Sequence, residues 1–125
     1  MIEVTLPYPP SMNHLWRTPR TGPLAGRTML SQEGRRYRST VAAALLIAGV
    51  PRASFGDARL SVGVVANPPD RRRRDLDNVL KALLDALVYA DVIADDGQID
   101  RLAVERGPVV KGGMVRVMVT RKEVE

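Results

Sequence analysis

The chain has 125 residues, 45% of them hydrophobic and 26% charged, which suits one domain with one modest core rather than two full domains. It contains no cysteine and a single histidine, His14, so disulfide frameworks, thiolate zinc sites and thiol nucleophiles are excluded, and a serine triad or histidine zinc site would hang on one residue. Lys and Arg number 19 against 14 Asp and Glu, a net charge of +5, so polyanions are the expected partners and any metal chemistry must run on carboxylates.

No apolar stretch is long enough for a bilayer and no secretory pattern opens the chain, so the sequence reads as a soluble, cytoplasmic protein without membrane contact. Ile2 to Leu6 alternates with period two and meets Pro7, which predicts a strand. A proline-rich turn over 7–11 leads to Asn13 and His14, where a lone histidine is either surface decoration or a titrating base, and 16–28 reads as a long basic loop. Ser31 can cap a helix over 31–48, with Glu33 in its first turn and Tyr37, Val41, Ala44, Leu45 and Ala48 at helical spacing.

Leu60, Val62 and Val64 predict a strand that stops at Asn67-Pro68-Pro69, where a run of four arginines, Arg71 to Arg74, follows. Without those four the charge balance would be nearly neutral, so the basicity is one local patch. Leu76, Val79, Leu80, Leu83, Leu84 and Leu87 form the stripe of a core-facing helix, with Asp77, Lys81 and Asp85 along one edge. After the acidic turn Asp95-Asp96-Gly97, Ile99 to Val110 and Met114 to Thr120 read as two strands of an antiparallel hairpin turning at Lys111-Gly112-Gly113. The expected fold class is α+β, two-layered: a mixed β-sheet of about four strands packed by two amphipathic helices, with parallel pairing across the strand-helix-strand segments.

Chemistry concentrates between Asp70 and Asp96. Asp75 and Asp77 at a helix start are ordinary capping acids on one reading. On the other, they and Asp96 would repel one another unless a cation sat between them, and hard divalent ions take just such oxygen ligands together with substrate phosphate. For that site the helix between the acids must return its end loop near the same sheet edge. The arginines, with no acidic partner evident across from them, are either a solvated loop or a phosphate-binding run. Lys81 is a salt-bridge partner of Asp77 or a group that stabilises charge on a reacting phosphate. Asp95 and Asp96 are alternatives for the inward acid. Aromatic residues are too few, at 4%, for a broad base-stacking platform.

The block Asp70-Arg71-Arg72-Arg73-Arg74-Asp75-Leu76-Asp77-Asn78, with Lys81, Asp85 and Asp95-Asp96 after it, strongly resembles the RusA family of Holliday junction resolvases. The opening Leu6-Pro7-Tyr8-Pro9-Pro10-Ser11 with Asn13, the Ser31-Gln32-Glu33-Gly34 with Tyr37-Arg38, and Lys111-Gly112-Gly113 extend the likeness over nearly the whole chain. The resemblance implies one endonuclease domain over 1–125, an essential acidic triad on Asp75, Asp77 and Asp96 that holds Mg²⁺ or Mn²⁺, and a catalytic lysine on Lys81. Arg71, Arg72, Arg73, Arg74, Asn13 and Lys111 are then the candidates for DNA contact. It further implies a homodimer acting on four-way junction DNA in recombination and repair, in bacteria or their phages. The two-fold symmetry of a junction with two strands to cut argues for the dimer independently, with 2–6 and 31–48 as candidate interface segments. The competing readings are a nuclease for other branched DNA, such as flaps and forks, and a non-catalytic basic DNA-binding protein.

Overall fold

Val115, Val117 and Val119 are at most 1% exposed while the residues between them reach solvent, a pattern that needs neighbouring strands on both sides and one covered face. The computed structural model describes residues 1–122, without the side chains of residues 12 and 13. Its strands are β1 (Ile2–Leu6), β2 (Trp16–Arg17), β3 (Met29–Leu30), β4 (Leu60–Asn67), β5 (Ile99–Arg106) and β6 (Met114–Arg121), and its helices α1 (Met12–Leu15), α2 (Gln32–Ile47) and α3 (Asp77–Tyr89). The main sheet runs β1-β6-β4-β5. β6 is antiparallel to both β1 and β4, with Val117 opposite Val4 on one side and Val64 on the other. β4 and β5 are parallel, Val64 beside Val104.

The two helices cover one face, as a mixed sheet in a two-layer α+β fold requires. Ser31 caps α2 by accepting a hydrogen bond from the Gly34 N–H at 2.9 Å, and Tyr37, Val41 and Leu45 of that helix are buried. In α3 the deepest residues are Val79, Ala82, Leu83, Ala86 and Leu87, while Leu76, Leu80 and Leu84 of the expected stripe are only half-buried. The closest backbone approach of α3 is to α2, and each fully buried leucine contributes about 1.5–3 kcal/mol. Among the described residues no helix is long and apolar enough to cross a membrane.

The expected hairpin is corrected by the sheet order. β5 and β6 follow each other in sequence but do not pair, because β4 lies between them. β5 also stops at Arg106 rather than Val110, since Pro108 has no N–H to give a ladder. The connection over 107–113 steps across the end of β4 instead, held by Gly107 N–H to Ala66 O, Val110 N–H to Pro68 O and the buried Asn67 amide to Pro108 O at 2.9 Å. Gly113 is obligatory there: its φ is +72°, and a Cβ would stand 2.9 Å from Tyr8 Cβ. The basic segment over 16–28 is closed by the β2–β3 ribbon, and His14 lies in the single turn of α1 rather than in a loop.

Candidate active site and nucleic-acid interface

Pro68 and Pro69 end β4, and the chain crosses to α3 through a loop that Asp70 organises. Its Oδ1 accepts from the Arg72 N–H at 3.0 Å and from Arg74 Nη1 at 2.6 Å. The Arg74 hydrogen bond, reinforced by the Arg72 N–H, holds the Asp70 carboxyl down to about 2. Arg74 is the least exposed of the four arginines, its guanidinium lies 5.9 Å from the Tyr8 ring centroid, and its carbonyl accepts from Arg106 Nη2 at 2.5 Å. The run therefore does have an acidic partner, on its own N-terminal side, and Arg74 is spent on structure. Arg71 and Arg73 are exposed and make no ion pair, and Arg72 is 84% exposed despite a 3.7 Å approach to Asp70.

Asp75 is exposed between two hollows. One, of about 230 Å³, is walled by Tyr8, Arg71, Arg74, Arg106 and Gly107; the other, of about 570 Å³, by Pro9, His14, Arg73 and Asn78. His14 Nδ1 stands 3.2 Å from Ser11 Oγ at the rim of the larger one. Asp77 is the first residue of α3, where the helix dipole favours a carboxylate, and Lys81 follows one turn later. Both are exposed. Lys81 makes no ion pair with Asp77 or Asp85, so the helical salt bridge expected of that spacing is not formed. Lys111 is exposed on the 107–113 connection at this same end of the sheet, and Asn13 lies in α1, its side chain outside the described residues.

Asp96 lies at the other end. From Asp77 to Tyr89 the axis of α3 covers about 18 Å. The chain then turns at Asp91 (φ +61°) and enters a 3-10 turn at Asp96–Gln98 that leads into β5. A helix that crosses between two parallel strands must hand the chain back to the end where those strands start, so its loop cannot return to the end it left. Among the described residues no three acidic or histidine side chains gather for one metal ion, and the expected convergence of Asp75, Asp77 and Asp96 does not occur within one chain.

Around Asp96 the other polar groups are occupied. The Gln98 carboxamide is buried, accepting from the Ala94 and Asp95 N–H groups at 2.8 and 3.2 Å and donating to Gly56 O and Ala58 O. Asp95 caps the turn in a reciprocal box with Gln98, and its carboxylate folds back over Gly97. Asp100 is bound by Arg59, which holds its carboxyl below the usual range, and lies 3.6 Å from Lys122. Asp96 is exposed and takes part in no ion pair among the described residues. Tyr8 anchors its loop against Arg74, as the sequence suggests in preference to base stacking, whereas Asp70, Gln98 and Arg106 were missed as groups that hold these segments; of the three only Asp70, two residues before Arg72, carried a local signal.

Comparison with known proteins adds a family. Residues 7–120 match the family model described as Endodeoxyribonuclease RusA. The chain is 41% identical to the crossover junction endodeoxyribonuclease RusA of Enterobacteria phage HK97 over 97% of its own length and 95% of the relative's. It is 40% identical to the proteins of the same name from Enterobacteria phage 82 and Escherichia coli K12, each over 94% of this chain and 92% of the relative.

Proposed function

The chain belongs to the RusA family of endodeoxyribonucleases, and from that premise we propose that residues 1–125 act as one domain of a homodimer that resolves four-way DNA junctions by metal-dependent phosphodiester hydrolysis. The observation that carries this reading is the pair of exposed acids, Asp75 and Asp77, without ion-pair partners among the described residues, set beside exposed Arg71, Arg72 and Arg73 at one end of the sheet.

Two carboxylates with a substrate phosphate are a sufficient oxygen set for Mg²⁺ or Mn²⁺, so Asp75 and Asp77 fit such an ion and would hold it. When bound, the ion supplies Lewis-acid polarisation of the scissile phosphate. Lys81, one turn along α3 and with no carboxylate of the described residues on its ammonium, is left to face negative charge developing on the reacting phosphate. The exposed arginines, with Lys111 and Asn13, bind the phosphodiester backbone and give affinity that falls with salt. Asp96 is the third acid rather than Asp95, because Asp95 is used to cap its own turn. Its place at the far end of α3 argues that it serves a site on the second copy. Two such shared sites, related by the two-fold of the dimer, match the two opposed strands of a junction.

A synthetic immobile junction, incubated with Mg²⁺ and with EDTA beside flap and fork substrates, tests the reading. Paired symmetric nicks that need the metal are expected on the junction. Binding without metal-dependent cutting would make this a non-catalytic DNA-binding protein, and equal cutting of flaps and forks would make it a general branched-DNA nuclease.

A further inference from the structure

β5 closes one side of the sheet and leaves its outer edge open: it pairs with β4 alone, and among the described residues no backbone hydrogen bond of 99–106 goes to a loop. The ladder with β4 is irregular at Asp100, and from Arg101 to Arg106 the edge is regular and without proline, a ready template for another strand. We infer that two chains join through this edge, β5 antiparallel to β5 across a two-fold axis, in the register that sets Ala103 opposite the partner's Ala103. The inference rests on the proposed homodimer with shared sites, and it says where the two copies meet.

The register follows from parity and charge. Pairing with β4 points the N–H and C=O of alternate β5 residues outward, and side chains across a ladder must share a face, so odd residues can oppose only odd ones and even only even. Centred on Ala103, the regular edge places Arg101 opposite the partner's Glu105, twice, with Leu102 opposite the partner's Val104, while Asp100 and Arg106 are held within their own chain by Arg59 and by the Arg74 carbonyl. Centring on Arg101 or Glu105 would set like charges face to face, and centring on Leu102 or Val104 would set charged side chains against apolar ones. Arg101 and Glu105 are exposed and take part in no ion pair among the described residues. Leu102 is 41% exposed at the same edge. The charges that blunt this edge against strangers are thus complementary to a second copy of itself.

The same pairing completes the site. Antiparallel β5 strands bring the start of one, just after Asp96, alongside the end of the other at Gly107, and Gly107 and Val109 wall the hollow that Asp75 borders. Joining through the opposite edge, β1, would instead leave the two β5 strands seven strand spacings apart, about 34 Å.

Light scattering on two charge-reversed variants tests the interface. Arg101→Glu alone and Glu105→Arg alone each oppose like charges twice, and the dimer dissociation constant is expected to rise on the order of tenfold or more for each. Mixing the two variants restores both pairs, as does the double variant, and the dimer should return to twice the 13.7 kDa chain mass. In this cysteine-free chain, Ala103→Cys should form an intermolecular disulfide on mild oxidation, which reads the register even if a reversed variant misfolds. A wild-type dimer unchanged by either reversal, a mixture no tighter than its components, or no Ala103→Cys cross-link would overturn the edge while leaving a dimer in place. A monomeric wild type that still cuts in pairs would overturn the shared-site reading itself.

Discussion

At the end of the sheet where β5 begins, polar side chains are consumed by the fold: Arg59 and Lys122 hold Asp100, Gln98 satisfies four backbone groups, and Asp95 caps its own turn, leaving Asp96 exposed. At the end where β4 finishes, one ion-pair group suffices, Asp70 with Arg72 and Arg74, and everything beyond it faces solvent: Arg71, Arg73, Asp75, Asp77 and Lys81. The first end is an anchor whose exposed acids without ion pairs among the described residues include Asp57 and Asp96; the second is an open basic surface that presents Asp75 and Asp77. Of these, Asp75, Asp77 and Asp96 are the acids that the proposed site assigns to a metal.

Substitutions at both ends would break or sharpen that contrast. The largest effect is expected at the anchored end, where Asp96→Asn should lower metal-dependent junction cleavage by about 100-fold or more with binding retained, whereas Asp95→Asn should retain cleavage and lose stability instead. Matched single-turnover assays and thermal melts distinguish the two; equal cleavage loss in Asp95→Asn would make it the inward acid. Next, Gln98→Ala strips partners from buried backbone groups and should destabilise the fold by about 2–4 kcal/mol, measured by urea unfolding. At the open end, Arg71→Ala with Arg73→Ala should weaken junction binding and reduce its salt slope by up to about 2, without a change in the thermal midpoint.

The smallest effect is a pH dependence. A carboxyl lowered from 3.8 to about 2 stabilises the fold above its ordinary value and loses that contribution as the pH falls through the lower one. The pH-dependent part of the stability gap between wild type and Arg74→Ala should therefore narrow from pH 4 to pH 2. A gap independent of pH there would mean that Arg74 acts through packing on Tyr8 rather than through Asp70.

Much of this layout was legible in the chain. The Ser31 cap and the alternation in β6 are local patterns that appear where periods of 3.6 and 2 put them, whereas the buried stripe of α3 is shifted onto Ala82 and Ala86 and away from Leu76, Leu80 and Leu84. The pairing of β5 was not, because a Gly-Gly turn between two strands reads as a hairpin whichever strand lies between them. The charges themselves held the missing information: Asp100, Arg101, Glu105 and Arg106 put ionised groups on both faces of β5, as suits an edge, while β6 buries a valine at every second position, as suits a centre. The candidate acids could be named from the sequence, yet their separation could not, since it follows from the parallel crossover through α3 and not from their spacing.

The most direct test is to mix Asp75→Asn with Asp96→Asn, each inactive alone. With sites shared between chains, a mixed dimer has one site carrying both defects and one carrying neither, so random mixing should restore about a quarter of wild-type sites, seen as single nicks in the junction. If each site lay within one chain, no mixed dimer would hold an intact one, and a mixture as inactive as its components would contradict the shared site.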